Sequence, residues 1–403
     1  MNTPELNTPD DDGANAERGT GVMELTSAAL LWTVLGLTVL VTVVTVWCWP
    51  RLAGRGWARV AARLGALLSG QLGLVLAAAL LVNSYGDFYP TWDDLLGPDQ
   101  QVSLGRAAGG GDALGLPGGT AGSRLVRPDG PAPAILPGPA NRVGSLSSVR
   151  LIGPRTGLRQ QAYVYLPPQY FQPAYARTRF PVVLMMTGFP GTIQSTLGRL
   201  DPPRQAAGLI AGGRMQPTIL VLVSQNVALP RDTNCVDAVG GPQVDTYFST
   251  EVPAALRSAY RLLPSPGGWA VEGYSEGGTC ALAFAMRHPG VFGVVGDLGG
   301  DYGLYENRQT GTLFGPEGPD RDRMMSEADF GWRLTHLPAP PIKVLLATSV
   351  RDRDYPATQR FLAEVRPPMQ ATPLLLRSGG HNFGTWSAEQ GPTLEWLSAQ
   401  LTH

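Results

Sequence analysis

Lysine is almost absent from this chain: of 31 basic residues only Lys343 is one. The arginine bias reads as the mark of a GC-rich coding sequence rather than of an arginine-specific task. Charge of either sign is sparse. Asp, Glu, Lys and Arg make up 16% of the residues and the formal net charge is −1, so the basic field that nucleic-acid binding draws on is missing. Histidine occurs four times, which leaves few candidates for a proton-transferring imidazole. Three cysteines cannot all pair. Cys48 lies in an apolar segment, leaving Cys235 and Cys280 as one disulfide pair if the chain sits in an oxidising compartment. No repeat of solenoid period is present.

What the chain has instead is apolar runs, glycine and proline. Thr26 to Trp47 is an uncharged run, roughly 33 Å long as a helix, and Leu64 to Val82 is a second, roughly 28 Å long. A cleavable leader does not fit. The first run follows Asp10, Asp11, Asp12, Glu17 and Glu24 rather than a basic stretch, and a second run comes soon after. Arg51, Arg55, Arg59 and Arg63 lie between the runs, while Asp87, Asp93 and Asp94 lie beyond them. By the positive-inside rule the short Arg-rich loop is cytoplasmic and both termini are outside. The expected organisation is an extracytoplasmic tail (1–25), a span (26–47), a cytoplasmic loop (48–63), a second span (64–82), a linker (83–144) and a catalytic domain (145–403). The linker is rich in Gly, Pro and Ala, with Gly109-Gly110-Gly111 and Pro131-Ala132-Pro133, and is expected to be an unfolded tether.

From about Ser145 short apolar runs alternate with segments of helical length. Ala162 to Leu166 reads as an early antiparallel strand ending at Pro167-Pro168. Val182–Met186, Thr218–Val223, Trp269–Val271, Val291–Val295, Val344–Ala347 and Leu374–Leu376 read as buried strands. Val252 to Leu262 and Cys280 to Arg287 read as helices. Such alternation implies an α/β fold: a mostly parallel sheet with helices on both faces.

Within this pattern lies Gly273-Tyr274-Ser275-Glu276-Gly277-Gly278, between a short strand and a helix. In a glycine-rich chain the string alone carries little weight; its place gives it meaning. A serine on a tight strand-to-helix turn is held out above the sheet, and the flanking glycines avoid clashes with neighbouring backbone. Ser275 is therefore the expected nucleophile, and it needs a base. His288 falls on the following helix facing away, His336 falls in a Pro-rich loop, and His403 ends the sequence. His381, in Gly379-Gly380-His381-Asn382-Phe383, follows the last strand and is the expected base. The orienting carboxylate is expected after Val344–Ala347, where Asp352 and Asp354 both qualify. Asp352 is favoured because the tight turn leaves it nearer the strand end, and Asp297 and Asp301 are further alternatives. Oxyanion donors are expected from the backbone N–H of Glu276 and from the Thr187-Gly188-Phe189-Pro190-Gly191 turn. There Pro190 has no N–H, which leaves Phe189.

Together these residues resemble the esterase D-like branch of the α/β-hydrolases, which includes the secreted mycolyltransferases of mycolate-bearing bacteria. The resemblance covers about Ser145 to His403. It rests on the Ala162–Pro167 strand, the Thr187–Gly191 turn, the Gly273–Gly278 elbow and the Gly379–Trp386 segment. Arg231-Asp232-Thr233-Asn234-Cys235-Val236-Asp237 is also similar to a loop of membrane-anchored members. The resemblance implies a Ser–Asp/Glu–His triad, no metal or cofactor, acyl ester substrates, and transfer of the acyl group to water or to a sugar hydroxyl. Two features depart from it: the acidic Glu276 beside the oxyanion site, and the segment from Gly299 to Pro341 with Tyr302, Tyr305, Phe314 and Trp332. That segment reads equally as a lid, an acyl-binding wall or a surface insertion. The expectation is a membrane-anchored, extracytoplasmic serine esterase or acyltransferase acting on envelope esters. The contrasting expectation is an inactive hydrolase-fold protein that binds the envelope, since a fold alone does not fix function.

Overall fold

The computed structural model describes residues 25, 27–54, 56–86, 92 and 125–402. The expected tail, except Leu25, most of the linker, and His403 lie outside the described residues. The chain divides into two compact units, Met1–Leu81 and Val82–His403.

The first unit is built on two helices, α1 (Ala28–Leu52) and α2 (Trp57–Gly86, which runs on past the unit's end). Ser27 caps α1, its hydroxyl accepting from the Leu30 amide at 3.2 Å. The hydroxyls of Thr33, Thr38, Thr42 and Thr45 each donate to the carbonyl four residues back, so α1 keeps its polar groups satisfied within itself. The side chain of Thr38 lies against Gly73, where a Cβ would collide with its hydroxyl. Both helices are long and apolar enough to cross a membrane. They exceed the expected spans because α1 continues through Arg51 and α2 begins ahead of Arg59 and Arg63, so residues 53–56 connect them.

The second unit holds one nine-stranded sheet: β1 (Val126–Pro128), β2 (Ser145–Ile152), β3 (Arg159–Leu166), β4 (Val182–Met186), β5 (Ile219–Val223), β6 (Trp269–Tyr274), β7 (Val294–Leu298), β8 (Lys343–Ser349) and β9 (Gln370–Leu376). Their order is β1-β2-β3-β5-β4-β6-β7-β8-β9. The β1/β2, β2/β3 and β3/β5 pairs are antiparallel and all later pairs are parallel. The sheet thus starts inside the segment expected to be tether. Val126 is buried against β2, and the edge strand is too short to show periodicity. The expected Val291–Val295 strand also moves, to Val294–Leu298, because the Val291 amide turns back to His288 O at 2.9 Å to close the preceding helix.

Alternation along the strands fills two layers. Val182, Leu184 and Met186 face one cluster with Leu256, Phe284, Leu334 and Phe361, whereas Val183 and Met185 face another with Ile193, Leu209, Leu394 and Leu397. Helices α3 (Ile193–Arg199), α4 (Pro202–Ala211) and α10 (Phe383–Gln400) therefore cover one face. Helices α5 (Val252–Ala259), α6 (Glu276–Arg287), α8 (Phe330–His336) and α9 (Tyr355–Glu364) cover the other, with α7 (Pro319–Ala328) ahead of α8. The segment from Gly299 to Pro341 is no loose flap, since its Leu304, Leu313, Phe330 and Leu334 are buried in the first layer.

Candidate active site

The loops beyond the carboxyl ends of the parallel strands converge on Ser275. Its backbone sits at φ 54°, ψ −131°, a conformation that side-chain-bearing residues rarely adopt. The surroundings enforce it. The Ser275 amide donates to Leu298 O at 2.9 Å, pinning the turn to the end of β7. A Cβ on Gly273 would strike the Gly277 backbone, and one on Gly277 would strike the carbonyls of Met186 and Thr187. Glycine is required at both positions because β6 and α6 pass this close to each other and to β4.

His381 arrives from the loop between β9 and α10. The Asn382 side chain caps α10 by accepting from the Thr385 amide at 3.1 Å, and the Gly380 amide donates to the Thr385 hydroxyl at 2.9 Å. The imidazole stands edge-on to Trp386, centroids 5.0 Å apart, and Trp386 packs on Tyr274 beside the elbow. These contacts bring His381 Nε2 to 2.8 Å from Ser275 Oγ. For the hydroxyl to donate there, the ring proton must sit on Nδ1. Burial pulls the imidazole below the ordinary histidine range, against the opposing charge of Asp352. The ring is thereby kept neutral and able to accept a proton at neutral pH.

On the far side of the ring two carboxylates compete. Nδ1 lies 3.8 Å from Asp352 Oδ2 and 3.9 Å from Asp354 Oδ2, both beyond hydrogen-bond range. Their surroundings separate them. The Asp352 side chain is 2% exposed and that of Asp354 24%. Asp352 Oδ1 accepts from the Asp354 amide at 3.0 Å, which leaves Oδ2 facing the ring. Asp354 Oδ2 already accepts from Arg353 Nε at 3.0 Å. The donor atoms of Asp352, Asp354 and His381 lie within 4.8 Å of one another, close enough to ligate a cation. Asp297 belongs to the floor of the elbow. Its Oδ1 accepts from the Gly300 amide at 2.7 Å and blocks any side chain at Gly278, and burial pushes the carboxyl up to about 7. Asp301 lies near enough to be influenced by the charge of His381, and burial raises its carboxyl as well.

The Thr187–Gly191 turn lies against the elbow, with a Cβ on Gly188 falling 3.1 Å from Ser275 Cβ. The Asn226 side chain fixes this turn, its Nδ2 donating to Gly188 O at 3.1 Å and Gly191 O at 2.7 Å. Sequence reasoning missed Asn226, whose only signal is its place just beyond β5. Among the described residues, neither the Phe189 amide nor the Glu276 amide donates to a loop or turn carbonyl. The other two described histidines are engaged elsewhere: His288 bonds Asp245 at 2.9 Å, and His336 stacks on Trp332. Cys235 and Cys280 are joined as a disulfide.

Residues 153–302, which include the Thr187–Gly191 turn and the elbow, match the model of a family described as putative esterase. That stretch is similar to the esterase family, and the domain has the α/β-hydrolase fold. The esterase-type domain also resembles a solved ferulic acid esterase at 18% identity and a TM-score of 0.53, over 65% of this chain and 100% of that one. An uncharacterized protein of Corynebacterium glutamicum is 28% identical over 141 residues, 35% of this chain and 32% of that protein. The MPT51 antigen of Mycobacterium leprae is 44% identical over 61 residues, 15% of this chain and 20% of the antigen. The chain thus spans about a third or less of the length of these curated relatives.

Proposed function

We propose that the domain is a serine esterase or acyltransferase that works through an acyl-Ser275 intermediate. The observation that carries this reading is the 2.8 Å approach of Ser275 Oγ to His381 Nε2 on a strained, glycine-walled elbow. His381 takes the serine proton as Oγ attacks the ester carbonyl, then returns it to the departing alcohol. Asp352 holds the proton on Nδ1 and stabilises the imidazolium. The Phe189 and Glu276 amides receive the oxyanion, and they are free to do so. Water or a carbohydrate hydroxyl then accepts the acyl group. In this reading Asp352, Asp354 and His381 orient a proton rather than ligate a cation, because Nδ1, the ring atom that faces the carboxylates, must carry the proton when Nε2 accepts from Ser275.

In this reading α1 and α2 anchor the protein in the membrane. The arginines at and around their connection lie in the cytoplasm and the esterase-type domain lies outside, facing esters of the cell envelope. An inactive envelope-binding protein has no use for a serine, a neutral imidazole and free amides gathered at one point.

Treatment of the full-length protein in detergent with a fluorophosphonate probe and short p-nitrophenyl esters tests the chemistry. Labelling and turnover that vanish in Ser275→Ala and in His381→Ala are the expected result; a folded protein that does neither would return the assignment to a binding role. A reporter joined after His403 that is active only in the cytoplasm would reverse the topology.

A further inference from the structure

The ring atom of His381 that points away from Ser275 meets a set of ligand atoms. Nδ1 is buried and makes no hydrogen bond, with Asp352 Oδ2 at 3.8 Å and Asp354 Oδ2 at 3.9 Å. The three donor atoms all lie within 4.8 Å of one another. The point equidistant from them is no more than roughly 2.5 Å from each, so a small inward shift gives the 2.0–2.2 Å bonds of zinc to nitrogen and carboxylate oxygen.

Asp352 is the fixed part of this set. Its side chain is 2% exposed, and its Oδ1 is held by the Asp354 amide at 3.0 Å. Among the described residues no hydrogen bond engages its Oδ2, which faces the ring. Two carboxylates offset the charge of a divalent cation. An imidazole nitrogen beside them suits Zn²⁺ better than Ca²⁺ or Mg²⁺, which seek oxygen alone. Asp301 lies close enough to interact with the charges of all three side chains and adds negative charge. One group opposes a cation here: Arg353, whose Nε donates to Asp354 Oδ2 at 3.0 Å. The Arg353 side chain is 75% exposed and has room to swing into solvent.

We propose that Asp352, Asp354 and His381 form an inhibitory zinc site, in which Zn²⁺ takes the place of the Nδ1 proton and arrests the enzyme. Zn²⁺ binds the Nδ1 lone pair of the neutral ring. The N–H bond at Nδ1 breaks, and the proton passes through solvent to form one at Nε2. The ring keeps its charge, but Nε2 now donates to Ser275 Oγ and cannot take the serine proton. The metal is no cofactor, because zinc binding and catalysis need opposite tautomers of one ring. The inhibition rests on the serine-ester reading above, whereas zinc binding does not.

The test uses the full-length protein in detergent. Zn²⁺ affinity is read by competition with a chromogenic chelator, and Ser275 reactivity by the rate of fluorophosphonate labelling. In wild type, Zn²⁺ that fills the site should slow labelling by about tenfold or more, and EDTA should restore it. Ca²⁺ and Mg²⁺ at the same concentration should leave the rate unchanged. Asp354→Asn should weaken Zn²⁺ binding by at least about tenfold, and Arg353→Gln should tighten it by about threefold or more, because a competing cation is gone. Both positions lie in one surface turn, and effects of opposite sign do not come from general loosening of it. Zn²⁺ that fails to bind wild type below about 1 mM, binds both variants as it binds wild type, or binds without slowing labelling overturns the site. A protein that binds Zn²⁺ with both variant effects yet never reacts with the probe overturns the serine-ester reading, and the inhibitory role with it.

Discussion

The two sides of His381 are built differently. On the serine side every element is pinned: β6 between β4 and β7, the glycines against neighbouring backbone, and Nε2 at 2.8 Å from Oγ. On the acid side Nδ1 faces two carboxylate oxygens at nearly equal distances and bonds neither. The contrast follows from the chain. The elbow is squeezed between buried parallel strands, whereas Ser349 to Tyr355 is a surface turn at the end of β8, beside the half-exposed edge strand β9. The geometry of Ser275 is thus fixed by packing, and that of Asp352 and Asp354 by a few local hydrogen bonds.

The sharpest way to break the comparison is to remove the pinned side. Ser275→Ala is expected to abolish fluorophosphonate labelling and to lower kcat by on the order of 10⁴–10⁶, and His381→Ala by a similar factor, because the two act as one unit. Variants that retain more than a hundredth of wild-type turnover would show that the reaction does not pass through Ser275. Next comes the acid side. Asp352→Asn should cost on the order of 10³–10⁴ in kcat, since loss of the carboxylate lets the ring take the wrong tautomer, and Asp354→Asn less than about tenfold. The reverse order would hand the role to Asp354. Equal, small losses would mean that either carboxylate can serve.

The same contrast sets how far the sequence could be read. That Ser275 and His381 would meet was legible because a strand–turn–helix with glycines, and a histidine after the last strand, leave few arrangements. The choice between Asp352 and Asp354 was not, because two residues of one turn differ only in how that turn folds back. Strand β1 was hidden by being three residues long amid Gly and Pro, where its pairing with β2, not its own pattern, makes it a strand. Asn226 carries no motif, and its role exists only once β4 and β5 lie side by side. The burial of the 299–341 segment was equally invisible, since its apolar residues follow no single period.

A smaller effect reads the electrostatics of the ring directly. A base works only when neutral, and burial holds His381 below its usual range. Protonation, and with it loss of kcat/KM, should therefore set in only at pH values under 6.5, with a flat profile from there through neutrality. A half-maximum clearly above pH 6.5 would mean that the nearby carboxylates outweigh burial, the opposite balance. In Asp352→Asn the limb should move further toward acid, because the partner that favours the imidazolium is gone.

The smallest effect lies beneath the site, on stability rather than rate. Glu272 is buried in β6, with Oε1 accepting from Gln390 Nε2 at 2.5 Å and Oε2 without a partner, and burial pushes its carboxyl up to about 8. Glu389 is raised to about 8 by the same cause. The sign follows from proton uptake. Between about pH 4.5, where an exposed carboxyl ionises, and pH 8, the unfolded chain has released protons that the native state keeps. Each step up in pH then favours unfolding, the reverse of a salt-bridged carboxylate, so these groups stabilise least at the alkaline end. Glu272→Gln keeps the acceptor for Gln390 and removes the ionisation. Its Tm relative to wild type should climb steadily from pH 5 to pH 8, and a difference that stays constant across that window would show that Glu272 is ionised in the native protein despite its burial.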